Sequence, residues 1–488
     1  MLRDLDELLA NEKFKNWEMP VTQFYGIHIQ APSFVQYLPF DTVKDYEDYI
    51  ARLNQFPRVF DETAALMRQG MADRLMPPKI LLEKVVVQAQ GIAEQKAEDT
   101  PFAHPFGKFP KAISAADQKR LRDQGLAAIR GKVLPAYVQF TAFVRDEYVA
   151  KGRTDPGVWA LPDGEARYAA LVRASTTTDM TPEAIHQLGL SEVARIEGEM
   201  QKIAVRLGFK DWKALNAAIE ANPELHAKSP QQIVDLYSKY IAQMNAKLPQ
   251  LFGLLPKSQC IVKPIEAFRE KDASGAEYNQ GTPDGSRPGI VMVNTYEHAK
   301  RKTINIETTA YHEGVPGHHM QVSIAQELPA LPPFRQQGGN VAYSEGWALY
   351  SEDLGAEVGF FEDPYSLYGH YMDEMLRAIR LVVDTGFHSK RWSRDRVVQF
   401  FHDHSGIDEV EVQSETDRYI AVPSQALGYK IGQLKIRELR ERAKKELGTK
   451  FDLRGFHDQV LGAGALPLDV LSDRIDAWVA SVKGEKAK

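Results

Sequence analysis

Across 488 residues the chain contains one cysteine, Cys260. A single thiol excludes an intrachain disulfide and any zinc site built on cysteines. Long apolar runs are also missing, so no segment reaches the roughly 18 residues that a membrane-spanning helix needs. Basic charge is not in excess: 60 Lys and Arg stand against 66 Asp and Glu, a net charge of −6. That balance excludes the basic footprint of a nucleic-acid partner. Internal repeats and long Gly/Pro/Ser linkers are absent, so one domain over residues 1–488 is expected. The opening stretch, MLRDLDELLANEKFKNW, is charged and amphipathic with no apolar export segment. Read as it stands, the chain is expected in the cytoplasm, or in the periplasm or outside if residues precede it.

What is present is ordinary for a soluble globular protein, 43% hydrophobic and 26% charged, and most of it has helical spacing. Val43, Tyr46, Tyr49 and Ile50 set a helix over 41–54, and residues 115–149 continue one long amphipathic pattern. Thr181 followed by Pro182 and Glu183 is a helix start, with the run ending before Gly208. Further helices are predicted at 211–221, 230–248, 341–357, 364–388, 394–404, 424–446 and 467–482. Only Cys260-Ile261-Val262 and Gly289-Ile-Val-Met-Val-Asn294 read as β, separated by the turn cluster Gly281–Pro288. The expected fold is mainly α: a large helical body around a cleft, with a small antiparallel sheet just before residue 306.

The chemistry concentrates in His312-Glu313-Gly314-Val315-Pro316-Gly317-His318-His319, with Glu345 following in Ser344-Glu345-Gly346-Trp347. Neutral imidazoles plus one carboxylate are what a catalytic zinc ion prefers when it keeps one position open, and Glu313 beside His312 is a candidate base. The usual spacing places two His at i and i+4 on one helical face. Here position i+4 is Pro316, which binds no metal and interrupts the helical ladder. The second ligand is therefore His318 or His319. A bulge absorbing two residues brings His318 into place, whereas on an undistorted helix His319 returns to the His312 face about 10 Å further along. Spacing leaves both open. Glu345 is the third ligand, unless it is a first-turn Glu favoured by the helix dipole; Glu352, seven residues on, is the fallback.

The string Ile306-Glu-Thr-Thr-Ala-Tyr-His-Glu-Gly-Val-Pro-Gly-His-His-Met-Gln321 resembles the bacterial family known as domain of unknown function 885. Asp284–Gly289, Ser344–Tyr350, Arg377–Gly386, Arg418-Tyr419 and Pro423–Tyr429 extend the resemblance over most of the chain from about residue 20. That family in turn resembles the helical gluzincin zinc peptidases, among them the converting-enzyme and thermostable carboxypeptidase groups. The resemblance implies a zinc-dependent hydrolase acting on short peptides, with His312, His318 or His319, and Glu345 holding one Zn²⁺ and Glu313 as general base. It also implies that Tyr419, after Arg418, donates to the developing oxyanion, with Tyr429 as second choice. On residues 364–388 the stripe of Asp373, Arg377, Arg380, Asp384 and His388 is either solvated or lines the cleft. In the cleft Asp384 would orient a metal-bound His and the arginines of the stripe, Arg377 and Arg380, would hold a substrate carboxylate, with Arg418 a further candidate to support the site or the substrate. The strand Ile290–Val293 is expected to hold an extended peptide. Two other readings stay open, an amidase on a modified or non-peptide substrate and a binding protein without turnover; intact Glu313 argues against the second.

Overall fold

The computed structural model describes residues 2–266, 270–328, 331–336 and 338–484. It is mostly helical with one small sheet, and its contacts gather into two compact units. The first comprises Met1–Ala170, Phe387–Arg394 and Gln413–Pro423; the remainder forms the second.

In the first unit the helix Val43–Leu53 starts on a capping box, where the Thr42 hydroxyl accepts from Asp45 N–H and the Asp45 carboxylate accepts from Thr42 N–H. It buries Tyr46, Tyr49 and Leu53 in an aromatic core with Phe60, Phe102, Phe106, Tyr137 and Phe140. The long pattern over 115–149 is not one regular helix. Wider π-type turns at Ile129–Val133 and Val144–Tyr148 flank the regular segment Leu134–Phe143. Pro135 supplies the physical reason for the first: it lacks an N–H, and its ring collides with the carbonyl four residues back unless the helix widens.

The second unit carries the elements used below. They are α1 (Pro182–Arg206), α2 (Pro230–Asn245), β1 (Cys260–Pro264), β2 (Ala276–Asn279), β3 (Gly289–Val293), α3 (Ile306–Glu313), α4 (His318–Glu327), α5 (Val341–Glu357), α6 (Pro364–His388) and α7 (Leu427–Leu447). The Thr181 hydroxyl accepts from Ala184 N–H at 3.2 Å, so the cap read from the sequence is made. The sheet differs from expectation in being mixed. Its order is β1-β3-β2, with β1 parallel to β3 and β2 antiparallel to it. The turn cluster folds β2 back on β3 as a hairpin, and β1 joins the opposite edge of β3. A strand pairing between segments separated in the chain has no local sequence signal. The consequence is that β3 is central and hydrogen-bonded on both sides, so Ile290–Val293 cannot receive a peptide along an edge. Helix α6 is buried along most of its second half, and Arg380, Asp384 and His388 are buried with it, so this part of its polar stripe is not a solvated face.

Candidate metal centre

The helical ladder of α3 stops at Glu313 and restarts at His318, with Gly314-Val315-Pro316-Gly317 between. This is a break rather than the bulge that the spacing suggested. Pro316 has no donor, and the surrounding amides bridge the gap: Gly317 N–H donates to Tyr311 O at 2.9 Å and His319 N–H to Gly314 O at 3.1 Å. The turn is so tight that a Cβ on Gly317 would lie 1.9 Å from the His312 carbonyl oxygen, so only glycine fits.

The break swings His318 round to face His312. The two rings stand 4.8 Å apart, nearly perpendicular at 87°. Glu345, from the first turn and a half of α5, reaches both: its Oε2 lies 3.6 Å from His312 Nε2 and 3.5 Å from His318 Nε2. All three donor atoms fall within 4.8 Å of one another, the one such grouping of His, Cys, Asp or Glu among the described residues. A tetrahedral ion with bonds of 2.0–2.1 Å sets its donors about 3.3 Å apart, so the two separations from Glu345 and this N,N,O donor set are of the kind zinc takes. His312 is buried, while His318 and Glu345 keep 16% and 23% of their side-chain surface exposed, which leaves the cluster open on one side.

The electrostatics favour positive charge at this point. Burial disfavours the Glu345 carboxylate, but hydrogen bonds from His312 and His318 outweigh it and hold the group well below the usual range. For His312 burial opposes the cation, yet Glu345 and Glu352 raise its pKa to about 10. Glu352, one layer out, has its Oε1 2.7 Å from His312 Nδ1. A carboxylate only accepts, so Nδ1 carries a proton towards Glu352 in either charge state, and Nε2, facing Glu345, is the nitrogen whose proton a metal ion would replace. Against burial, the His312 and His370 hydrogen bonds lower Glu352 to about 2. Glu352 thus holds His312 from behind and lies outside the His312–His318–Glu345 grouping, where the sequence reading had it as the fallback for Glu345.

The other expected residues lie elsewhere. His319, adjacent in sequence to His318, points to the sheet side. Its Nε2–H donates to Ser258 O at 3.1 Å and its Nδ1 accepts from the Tyr278 hydroxyl at 3.1 Å, so both ring nitrogens are engaged away from the cluster. Asp384 accepts the Ser424 N–H with both oxygens, at 2.9 and 3.1 Å, and so anchors the turn before α7 instead of a metal-bound histidine. Arg380 stacks over the Tyr429 ring at 4.6 Å. In the first unit, Arg418 donates to Glu415 at 3.0 Å and the Tyr419 hydroxyl donates to the same carboxylate. Glu313 ends α3, partly buried, and after burial its charge is the largest influence raising the pKa of the Tyr237 hydroxyl on α2. Sequence reasoning missed Tyr237 and His370. Each is a lone polar residue on an amphipathic helix, and nothing local marks it.

The family described as "Bacterial protein of unknown function (DUF885)" matches residues 1–475. Among solved structures, a "putative lipoprotein" from Colwellia psychrerythraea is similar at 34% identity and a TM-score of 0.91, covering 95% of this chain and 81% of its own. A second, a "putative lipoprotein of unknown function" from Shewanella oneidensis, shares the fold at 19% identity and a TM-score of 0.67, covering 96% of this chain and 85% of its own. Among curated proteins none matches.

Proposed function

The chain belongs to the bacterial DUF885 family, and we propose that it is a zinc-dependent hydrolase that cleaves peptide bonds in short peptides. The observation behind this reading is the convergence of His312 Nε2, His318 Nε2 and Glu345 Oε2, open on one side, with Glu313 next to the first ligand. Zinc held there would act as a Lewis acid on a carbonyl and make a water acidic. Glu313 takes the proton from the attacking water and passes it to the leaving amine; among the described residues its carboxylate accepts no hydrogen bond that would compete with this role. The buried Tyr237 hydroxyl, which interacts with Thr309 and feels the Glu313 charge, is the candidate donor to the reacting oxygen, a role the sequence reading gave to Tyr419. The peptide lies along the outer edge of β2, which pairs only on its β3 side among the described residues and whose Tyr278 touches His319. The resemblance to helical gluzincins supports the restriction to short substrates at the level of fold analogy. The descriptions of the two solved relatives support a location outside the cytoplasm, which cell fractionation would check.

The test combines metal analysis of the purified protein with digestion of a peptide library before and after chelation. One zinc per chain is expected, with cleavage lost on chelation and restored by zinc. Glu313→Gln should keep the zinc while turnover falls by about 100-fold or more. Cleavage that persists after chelation, or unchanged turnover in E313Q, rules the proposal out.

A further inference from the structure

Beyond Glu352 the polar contacts do not end. The Thr308 hydroxyl lies 2.8 Å from Glu352 Oε2 and 3.0 Å from His370 Nδ1, and all three residues are buried. The direction of each bond follows from what each group can do. Glu352, held as a carboxylate, only accepts, so Thr308 spends its single proton on Oε2. Its oxygen must then accept from His370, which fixes the His370 proton on Nδ1. His370 Nε2 in turn faces Asp353 Oδ1 at 3.5 Å. Asp353 is itself clamped by Arg437 at 2.5 Å and by Gln433 at 3.0 Å. The result is one ordered chain from Asp353 through His370, Thr308 and Glu352 to His312, drawn from α3, α5 and α6 and anchored on α7.

We propose that Thr308, His370 and Asp353 form an outer positioning chain that sets the orientation and tautomer of His312 for metal binding. The inference rests on the metal reading above and extends it by two layers. Glu352 alone has a carboxylate free to rotate about its terminal torsion. Holding Oε2 from Thr308 leaves Oε1 as the only acceptor for His312 Nδ1, and so keeps Nε2 aimed at Glu345 and His318. Thr308 and His370 touch no substrate and act only through Glu352. Their effect therefore appears in how tightly the ion is held, and outer-layer partners of metal ligands typically carry a 10–100-fold share of affinity.

The experiment is a competition titration of Zn²⁺ against a chromophoric chelator, run on the full chain. Wild type, Thr308→Val, Thr308→Ser and His370→Gln are compared, with His457→Gln as a control buried among bonds outside the chain, alongside circular dichroism of each. Expected is a loss of zinc affinity of about 10–100-fold in T308V and H370Q, wild-type affinity in T308S because the hydroxyl is restored, and wild-type affinity in the control. A merely structural role would lower thermal stability in T308V without moving zinc affinity, and that result overturns the proposal. Should H370Q not fold, the T308V and T308S pair decides alone. If wild type binds no zinc, the metal reading itself falls and this proposal with it; if wild type binds zinc and T308V binds it equally, only the positioning chain fails.

Discussion

His318 and His319 are consecutive residues with opposite fates, and the difference is a matter of which way the chain leaves Gly317. One ring joins His312 and Glu345; the other is held by Ser258 and Tyr278 at the sheet. The sequence identified the cluster's residue types and the part of the chain that carries them, but not the choice between the two histidines. That choice depends on the geometry of a Gly-Val-Pro-Gly turn, which spacing alone does not encode. The expected outcome is that His318→Ala abolishes zinc binding while His319→Ala retains one ion per chain, checked by metal analysis after dialysis. At the same scale, two histidines outside the site are locked neutral. Val158 N–H donates to His388 Nδ1, and His388 Nε2–H donates to Tyr419 O. His457 Nδ1–H donates to Leu251 O, and its Nε2 accepts from Tyr350, whose oxygen accepts from Arg440. Burial pushes both pKa values down to about 3. The unfolded chain takes up these protons near pH 6.5 and the folded chain does not, so each histidine lowers stability as pH falls from 6.5 towards 3. The loss is about 1.4 kcal/mol per pH unit per histidine. Urea unfolding at pH 7 and pH 5 checks this; His457→Gln should flatten the pH dependence by about one proton, and an unchanged slope contradicts the assignment.

At the scale of elements, helices with strong periodicity were readable in the sequence almost to the residue. Val341–Glu357 and Pro364–His388 match the expected bounds, and Leu427–Leu447 starts three residues later than expected. What the pattern could not reveal was how elements meet: the strand order of the sheet, the π-type turns around Pro135, and the crossing of α5 and α7. That crossing depends on two glycines. A Cβ on Gly432 would lie 1.8 Å from the Ala342 carbonyl oxygen, and one on Gly346 would lie 2.4 Å from Gly432 Cα. Two backbones approach this closely only where neither residue carries a side chain. Because α5 supplies both Glu345 and Glu352, the contact also sets where those carboxylates sit relative to α3. Gly432→Ala is expected to cost about 1–3 kcal/mol by overpacking, read as a lower thermal midpoint, and to weaken zinc binding through displacement of α5. A variant with wild-type stability would show that the crossing is looser than described.

Over the second unit as a whole, the buried charges form a connected set rather than scattered pairs. From Asp353 the contacts pass through Arg437 to Glu374, which also accepts from Lys430 and Arg195 at 2.6 Å each, and Lys430 lies 3.0 Å from Glu192. Helices α1, α5, α6 and α7 are tied by these bonds. Removing one partner from such a set leaves a buried charge uncompensated, a loss of about 3–5 kcal/mol; Lys430→Met is therefore expected to be strongly destabilised in chemical denaturation. This interior was not legible in the sequence, because Glu192, Glu374 and Lys430 sit on ordinary amphipathic helices where charged residues usually face water. The grouping of His312, His318 and Glu345 was legible in outline, since three histidines and a glutamate stand within eight residues and Glu345 follows in the next predicted helix. The most direct test of the central claim is anomalous X-ray scattering at the zinc edge from crystals grown with zinc. The account predicts one peak about 2.0–2.2 Å from His312 Nε2, His318 Nε2 and Glu345 Oε2, with His319 still bonded to Ser258. A peak coordinated by His319, or no peak between these three side chains, would contradict it.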